Sequence, residues 1–479
     1  MSRIAAREMH RFSASGREFV YLVPSAAIFA LDETAGAILD RLNGGAVKPD
    51  DVTRDLSSRF PEAQVRESLE ELHRVRAIGP SRIALPVVPP KVLPPQPFPL
   101  TTLVLNVTNQ CNLSCTYCYE YGEDKLVDTE KGLQPKFMTE ETARASVDFM
   151  LKESGENRVA HLTFFGGETL MNFPVLQSTI PYARERAAAL GKEVDFSLTT
   201  NATLLRPEII DFLMANDVGV TISMDGPKDV QDRFRVFPNG AGSYDLVLPR
   251  IKELLGRRHR RPVGARVTLT SGGDVKRIFR HLTEDVGFHE VGFAPVTTSP
   301  SRDHAIGDTG FDAMLEQFRD LAAEFRDYAL AGRAHAFSNV KDTLAEIHKG
   351  VAKAYPCGAG LGLMGVATDG EVALCHRFAG SAEHSLGTVR DGVDRDKQAA
   401  FLEANHIAEK TDCHRCWARP LCSGGCYHEA QTRYGATTHP NLHYCEWIRG
   451  WTHTCLEIYG ELSEKRPAFL AQFDDGGQA

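Results

Sequence analysis

Three cysteines lie close together in the stretch CNLSCTYCYE at 111–120. Cys111, Cys115 and Cys118 are separated by three and then by two residues, and the next cysteine along the chain is Cys357. A tetrahedral metal site needs four ligands. Three thiolates at this spacing suit an iron–sulfur cubane in which one iron stays open to a non-protein ligand. A zinc site completed by a distant residue and three unrelated buried cysteines are the alternatives.

A second group of cysteines lies after residue 340. In CHRCWARPLCSGGC, at 413–426, the four cysteines are separated by two, five and three residues. A zinc ribbon needs only four thiols, so we expect a larger domain organised around metal ligands. The group consists of Cys357, Cys375, Cys413, Cys416, Cys422, Cys426 and Cys445, and Cys455 is a spare thiol that we expect to be buried without being a ligand.

Composition limits the class of protein. The chain has 479 residues, which predicts two or three domains, and its formal net charge of −9 gives no electrostatic support for a nucleic-acid partner. The N-terminus, MSRIAAREMHRF, has no export signal, and the longest apolar run, VYLVPSAAIFAL, is too short to span a bilayer. We therefore expect a cytoplasmic protein with no membrane partner, in which eleven reduced thiols favour metal or redox chemistry over disulfides.

Predicted strands and helices alternate through the middle of the chain. Six βα units predict an α/β protein with a parallel sheet closed, or nearly closed, into a partial (β/α)6 barrel of the TIM type. The strand candidates are TTLVLNVT, VAHLTFFGG, VDFSLTTNA, VGVTISMDG, ARVTLT and EVGFAPV. Such barrels place chemistry at the carboxyl ends of the strands. Strand 1 is followed by the first cysteine motif, strand 2 by GGE, strand 3 by TNAT and strand 4 by SMDG. We therefore expect these four segments to meet at one edge of the sheet.

The first motif resembles the Cys-x3-Cys-x2-Cys signature of the radical S-adenosylmethionine (SAM) superfamily. The resemblance covers roughly residues 100–310 and implies a [4Fe-4S] cluster on the three cysteines, with SAM chelating the open iron and yielding a 5′-deoxyadenosyl radical. It also implies that strand-end residues contact SAM. These are Gly166, Gly167 and Glu168 at the methionyl amine, Tyr117 at the adenine, and Asn201, Ser223 and Arg235 at the ribose and carboxylate. An ordinary packed aromatic for Tyr117 and a surface ion pair for Arg235 are the alternatives.

The C-terminal cysteines resemble the SPASM extension of radical SAM peptide-modifying enzymes, which carries two auxiliary [4Fe-4S] clusters. The resemblance implies three [4Fe-4S] clusters in total. One auxiliary cluster would be held by Cys413, Cys416, Cys422 and Cys445, and the other by Cys357, Cys375 and Cys426. Sulfatase-maturing relatives place another cysteine shortly after the first, whereas CGAGLGLMG at 357–365 has none. The second of these clusters then has either an outside ligand or an open iron.

The first 80 residues are expected to form a small separate unit. REFVYLV and AAIFAL are strand-like, and three helices follow, the first with Asp32 as its N-cap. This winged-helix-like layout resembles the elements that hold a substrate peptide by strand addition, and a structural cap is the alternative. Seven prolines between Pro86 and Pro99 predict a stiff linker. The expected divisions are 1–80, the linker 81–100, the barrel 101–335, the SPASM domain 336–455 and a tail 456–479.

Two reactions compete, and both imply a peptide or protein substrate and an external electron donor. One is oxidation of a Ser or Cys side chain to formylglycine, as in sulfatase maturation, where an Asp follows the second SPASM cysteine. His376 stands there in this chain. The other is thioether crosslinking of a substrate thiolate to a substrate carbon. Asp225, Asp232 and His376 are the candidate bases. A non-enzymatic iron–sulfur or zinc scaffold that binds a peptide is a third interpretation.

Two longer stretches carry a narrower resemblance. FVYLVPSAAIFALDETAGAILDRL and CGAGLGLMGVATDGEVALCHRFAG are similar to the maturases of quinohemoprotein amine dehydrogenase. This resemblance implies thioether bonds between cysteine sulfur and the methylene carbons of Asp or Glu in the small γ subunit of that dehydrogenase. The γ subunit is therefore the expected protein partner.

Overall fold

The computed structural model describes residues 3–81, 90–120, 122, 124–126 and 135–474. Residues 82–89 of the predicted proline-rich linker lie outside the described residues. Within the described ranges, no helix has the length and apolarity needed to cross a membrane.

The N-terminal unit consists of short strands followed by three helices. Its elements are β1 (Ile4–Ala6), β2 (Met9–Ala14), β3 (Arg17–Leu22), β4 (Ala27–Leu31), α1 (Glu33–Asn43), α2 (Pro49–Leu56), α3 (Glu62–Arg74) and β5 (Ile78–Pro80). Strands β2, β3 and β4 form an antiparallel sheet with β3 in the centre, and β1 pairs with β5. As predicted, Asp32 caps α1, accepting a hydrogen bond from the Ala35 N–H at 2.6 Å. Strand β2 was not predicted.

The central part of the chain is an open barrel of six parallel strands with helices on its outside. Its elements are β6 (Thr102–Thr108), α4 (Glu140–Glu153), β7 (Val159–Gly166), α5 (Phe173–Ala189), β8 (Glu193–Thr200), α6 (Pro207–Ala215), β9 (Gly219–Ser223), α7 (Lys228–Phe234), α8 (Tyr244–Leu255), β10 (Gly264–Leu269), α9 (Val275–Arg280) and β11 (Glu290–Pro295). The strands pair in chain order from β6 to β11. The predicted α/β class and the six strands are confirmed, and β11 is an edge strand.

The C-terminal part extends the same sheet and packs helices against it. Its elements are α10 (Asp308–Leu330), α11 (Ser338–Lys349), β12 (Leu363–Val366), β13 (Glu371–Ala373), β14 (Ser385–Thr388), β15 (Gly392–Val393), α12 (Arg395–Asn405), α13 (Arg419–Cys422), α14 (Tyr427–Tyr434), α15 (Cys445–Lys465) and α16 (Pro467–Leu470). Strand β12 pairs in parallel with β6, and β13 to β15 follow in antiparallel order. The tail boundary predicted at residue 455 falls inside α15, because its buried residues continue to Leu462.

The N-terminal sheet is held between its own helices and α15. Phe19 and Tyr21 of β3 belong to the main core, whereas Val20 and Leu22 belong to a separate core with the helices. This alternation follows from the two-residue period of a strand. A side chain at Gly460 of α15 would lie only 3.1 Å from the Ala14 Cβ, so the helix approaches the sheet closely.

Two ion pairs connect this unit to the C-terminal part, and they differ in burial. Arg419 forms a bidentate pair with Glu8, with oxygen contacts at 2.6 and 2.5 Å, and its side chain is 7% exposed. Arg17 pairs with Glu464 at 3.0 Å, but these side chains are 49% and 35% exposed. The first pair is therefore expected to contribute more to docking than the second.

Replacing Glu8 with Gln should loosen the N-terminal unit, because it leaves the Arg419 guanidinium buried beside an uncharged partner. We expect a loss of about 2 kcal/mol in the free energy of unfolding of this unit. Limited proteolysis and chemical unfolding, performed anaerobically, measure the effect. Arg17→Gln is the matched control and should cost less than about 1 kcal/mol. Equal losses in both variants would contradict the importance assigned to the Glu8 pair.

Candidate active site

A cavity of about 530 Å³ lies at the carboxyl ends of the barrel strands. Every barrel strand contributes to it, either from its last residues or from the segment that follows. The residues predicted from sequence that line it are Cys111, Cys115, Tyr117, Cys118, Gly166, Gly167, Asn201, Ser223, Arg235 and His376. Parallel pairing brings these separate segments together, as expected for a barrel.

The three-cysteine loop after β6 is fixed by backbone hydrogen bonds. The Ser114 N–H donates to the Val236 carbonyl at 2.7 Å, and the Cys118 N–H donates to the Cys115 carbonyl at 3.1 Å. Burial raises the pKa of the Cys111 thiol to about 12. A buried thiol array of this kind is ionised readily only when a metal stabilises the thiolates.

The thiols are not arranged around a single point. Among the residues that the structure describes, no three His, Cys, Asp or Glu side chains form a group that would hold one metal ion. A cubane does not need such convergence, because its thiolates bind different irons. The arrangement of the thiols is therefore compatible with an iron–sulfur cluster.

The ends of β7 and β8 are joined by Glu168. Its carboxylate is fully buried and accepts hydrogen bonds from the Thr200 hydroxyl at 2.6 Å, the Asn201 N–H at 2.8 Å and the Leu170 N–H at 3.0 Å. Glu168 is not among the cavity-lining residues, so its side chain fixes the strand ends that face the cavity. Gly166 has φ of +130°, and a Cβ there would lie 2.3 Å from the Thr108 carbonyl oxygen.

Asp225 holds Arg235 at the wall of the cavity. Its carboxylate accepts from Arg235 Nε at 2.9 Å and Nη2 at 3.2 Å, from the Thr268 N–H at 3.0 Å and from the Tyr117 hydroxyl. The Arg235 and Asp225 side chains are 10% and 2% exposed, so this is a buried ion pair and the surface alternative is excluded. Arg235, Tyr117 and Thr268 line the cavity, whereas Asp225 does not.

The three candidate bases lie in different environments. Asp225 is saturated with hydrogen-bond donors, and Asp232 lies outside the cavity, where it accepts from the Tyr244 N–H at 2.8 Å at the start of α8. His376 lines the cavity, and its buried Nδ1 has no hydrogen-bond partner among the described residues. Burial, and then the Arg377 guanidinium, lowers the pKa of His376 to about 3. His376 is the candidate placed to take a proton inside the cavity.

Sequence analysis did not single out three further cavity residues. Arg377 follows His376, lies over the Tyr119 ring at 4.5 Å and donates to Thr297 Oγ1 at 3.2 Å. Arg266 enters from β10, where Ala265 and Val267 are buried on the other face. The sequence did contain a signal for Arg266, because this arginine occupies an inward position of the predicted strand ARVTLT. Tyr119 follows Cys118, and its buried hydroxyl has no partner among the described residues.

The C-terminal thiols form two groups. Burial, and then the Cys426 and Cys357 thiols, raises the pKa of Cys375 to about 12. Burial, and then Cys422 with Cys416 and Cys445 nearby, raises the pKa of Cys413 to about 12. The thiols that act on Cys375 and on Cys413 belong to the two sets that the resemblance implies, and the binding of a cluster by each set stays a prediction. Cys455 is fully buried in α15 and belongs to neither set.

Lys410 lies between the two thiol groups. It is 2% exposed, its Nζ has no hydrogen-bond partner among the described residues, and it lies 5.3 Å from the centre of the Tyr427 ring. Burial lowers the pKa of Lys410, whereas thiols of both groups act in the opposite direction. An unpaired buried ammonium is costly unless an anion lies beside it. Its position fits two anionic clusters bound on either side.

The comparisons agree with this geometry. Residues 105–272 match the sequence model of the Radical SAM superfamily, and this segment runs from β6 to just beyond β10. The solved structure of anSMEcpe with bound AdoMet and the Kp18Cys peptide has a TM-score of 0.62 to this chain at 20% identity. It covers 79% of this chain and 99% of that chain. The chain has the radical SAM fold.

The match to one curated relative extends beyond the radical SAM barrel, and the match to another is shorter. A cysteine-type anaerobic sulfatase-maturating enzyme of Clostridium novyi is 24% identical over 366 residues, which cover 74% of this chain and 94% of that enzyme. An uncharacterized protein of Methanocaldococcus jannaschii is 30% identical over 141 residues, 29% of this chain, and the match spans 44% of that protein.

Replacing Asp225 with Asn should release Arg235 from its position at the cavity of the radical SAM barrel. We expect SAM affinity to fall at least about tenfold and the free energy of unfolding to fall by about 3 kcal/mol. Anaerobic equilibrium dialysis measures SAM binding. Asp232→Asn is the matched control: its side-chain oxygen still accepts from Tyr244, so SAM binding should be unchanged. If both variants bind SAM like the wild type, Arg235 is not a SAM ligand.

Proposed function

We propose that this chain is a radical SAM enzyme that joins a cysteine sulfur to an Asp or Glu methylene carbon within a protein substrate. The observation that carries the proposal is that one cavity is lined both by the first thiol set and by residues next to the second. Cys111, Cys115 and Cys118 line it directly, and so do His376 and Arg377, which follow Cys375 of the second set.

Residues of the barrel are suited to holding SAM against the first set. The backbone at Gly166 and Gly167 borders the cavity. Asp225 orients the Arg235 guanidinium, which could then bind the carboxylate of SAM. Tyr117 packs against Phe234 with ring centres 5.5 Å apart and borders the same space. SAM bound to a reduced cluster would supply a 5′-deoxyadenosyl radical inside this cavity.

Thioether formation is a two-electron oxidation of the substrate. One electron leaves with the hydrogen atom that the adenosyl radical removes from the methylene carbon. The thiol proton passes to a base, for which we propose His376. The second electron leaves as the carbon–sulfur bond forms. We propose that the second thiol set would hold an auxiliary cluster that accepts this electron and returns it to the cluster that cleaves SAM, so that each crosslink consumes one SAM and no net electron. The set Cys357, Cys375 and Cys426, with only three thiols, would leave an iron to which the substrate sulfur can bind.

We further propose that the N-terminal unit holds the substrate protein. Within the part of the chain that the structure describes, β2 and β4 are edge strands of their sheet, and each offers backbone groups to an added strand. The resemblance to maturases of quinohemoprotein amine dehydrogenase identifies the small γ subunit of that enzyme as the candidate substrate.

Formylglycine formation is the second candidate, and it is favoured by the similarity to a sulfatase-maturating enzyme. It would use the same cavity and the same radical, with His376 as the base in place of the Asp expected in those enzymes. Both reactions begin with hydrogen removal, so they differ in the fate of the substrate sulfur.

Incubating the reconstituted enzyme anaerobically with SAM, dithionite and the γ subunit should yield a product that lacks two hydrogens for each bond formed. Each bond should also remove one alkylatable thiol, because the sulfur becomes a thioether. Intact-protein and tandem mass spectrometry measure both changes. Loss of sulfur with an aldehyde in its place would establish formylglycine formation instead. If 5′-deoxyadenosine does not form, the radical reaction itself is refuted.

Metal analysis tests the ligand sets without using activity. The reconstituted protein should contain about 12 iron and little zinc, as three four-iron clusters require. Cys357→Ala should lower the iron content by about 4 and abolish crosslinking, while SAM cleavage continues at the first cluster. Cys455→Ala is the matched control and should retain all the iron. Predominant zinc, or full crosslinking by the Cys357 variant, would contradict the assignment.

A further inference from the structure

Arg266 occupies a junction between two cavities. It lies on β10 in register with Ser223 of β9 and Gly292 of β11, and it lines the candidate active site. It also lines a second cavity of about 360 Å³, and the two cavities share Ala294 and Pro295 as well. The Arg266 side chain is exposed to both spaces, although many protein atoms surround it.

This guanidinium has no counter-ion in contact with it. Among the described residues it forms no side-chain hydrogen bond and no ion pair, and Asp342 acts on it only through space. Burial, and then the like charge of Arg377, lowers the pKa of Arg266. The side chain is open to solvent in the cavity, so its charge is only partly desolvated, and an anion that enters the cavity would pair with it.

The other cations of the active-site cavity have partners of their own. Arg235 is paired with Asp225, and Arg377 has the Tyr119 ring and the Thr297 hydroxyl. Arg266 is therefore the guanidinium with unused donors, and its planar fork matches a carboxylate in bidentate geometry.

Three carboxylates line the second cavity. Asp342 acts on Arg266 through space without forming an ion pair with it among the described residues, and the other two have partners of their own. Glu346 is paired with Lys349 at 2.7 Å and Lys353 at 3.2 Å. Glu429 is paired with His443 at 3.0 Å and lies 3.5 Å from Arg433. The positive charge at the junction thus remains available to a molecule that enters the cavity.

SAM and the substrate could each bring a carboxylate. Arg235 lies on the SAM side, because it interacts electrostatically with Cys115 of the first thiol set. Arg266 interacts with Arg377, which in turn lies near Cys375 and Cys426 of the second set. Arg266 consequently faces the part of the cavity that is left for the substrate.

We propose that Arg266, with Arg377 beside it, binds the side-chain carboxylate of an acidic residue in the peptide substrate. The inference rests on the proposed peptide-modifying function and extends it. The guanidinium would hold the acidic residue whose methylene carbon loses hydrogen, and the second cavity would receive adjacent peptide residues against Trp447 and Trp451. Arg266 is thus the residue that selects an acidic side chain over its amide.

Small probes test this selection independently of the reaction. N-acetyl-aspartate N-methylamide and N-acetyl-asparagine N-methylamide are titrated against the SAM-bound holoenzyme by ligand-observed NMR. The wild type should prefer the acid by at least about tenfold, the range of a charged hydrogen bond. Arg266→Gln should lose this preference, and Arg266→Lys should restore part of it. Arg206→Gln, an exposed arginine of the barrel, is the control that should behave like the wild type.

The outcomes distinguish selection from a structural role. A structural defect would weaken both probes equally, whereas loss of an acid-binding site weakens only the acid. Equal binding of the two probes by the wild type, or an undiminished acid preference in Arg266→Gln, would overturn the proposal. Loss of SAM affinity in Arg266→Gln with the acid preference unchanged would assign Arg266 to SAM instead.

An assay with the γ subunit distinguishes failure of this inference from failure of the proposed reaction. Variants in which its acidic residues are changed singly to Asn or Gln are compared with the unchanged subunit for thioether formation. If the acid preference of the probes is found but no thioether forms, the proposed reaction fails while the acidic site stands. If thioethers form as well with Arg266→Gln as with the wild type, the acidic site fails while the reaction stands.

Discussion

The parallel pairing of β6 with β12 is the contact on which the candidate site depends. Strand β6 ends in the three-cysteine loop, and β12 leads through β13 to Cys375. Asn106 of β6 donates to the His376 carbonyl at 3.1 Å, and a Cβ at Gly365 would lie 2.5 Å from the His376 nitrogen. The second thiol set is thus fixed against the same strand that carries the first. A change in this register would separate the two walls of the cavity.

The electrostatics of the site oppose those of the whole chain. The formal net charge is −9, yet the interior around the thiols collects Arg235, Arg266, Arg377 and Lys410. These cations attract anions, and anionic clusters, the SAM carboxylate and a substrate carboxylate would each provide one. The net charge of the whole chain does not report this local concentration of positive charge. A local field of one sign attracts ligands of the opposite sign irrespective of the overall balance.

Sequence patterns predicted the barrel well, because periodicity and strand-end position report on local structure. All six strands and the capping Asp32 followed from such patterns. The same reasoning could not separate Asp225, Asp232 and His376 as bases. The Asp225 carboxylate accepts hydrogen bonds from Arg235, Tyr117 and Thr268, which come from three different segments of the chain. Only the fold shows that these donors already engage it. Strand β2 was not predicted because the alternation of apolar and polar residues in MHRFSA is weak. Its buried side chains, Phe12 and Ala14, lie on the face that α15 covers.

The docking of the N-terminal unit is coupled to the C-terminal cysteines through one side chain. The Arg419 guanidinium binds Glu8 and also donates to the His414 carbonyl at 2.8 Å and the Cys416 carbonyl at 3.1 Å. Those carbonyls belong to the loop that carries Cys413 and Cys416. Metal binding supplies folding free energy to loops of this kind, so the loop geometry, and with it the position of Arg419, should depend on the bound cluster. If the N-terminal unit holds the substrate as proposed, its correct placement would depend on assembly of the proposed auxiliary cluster.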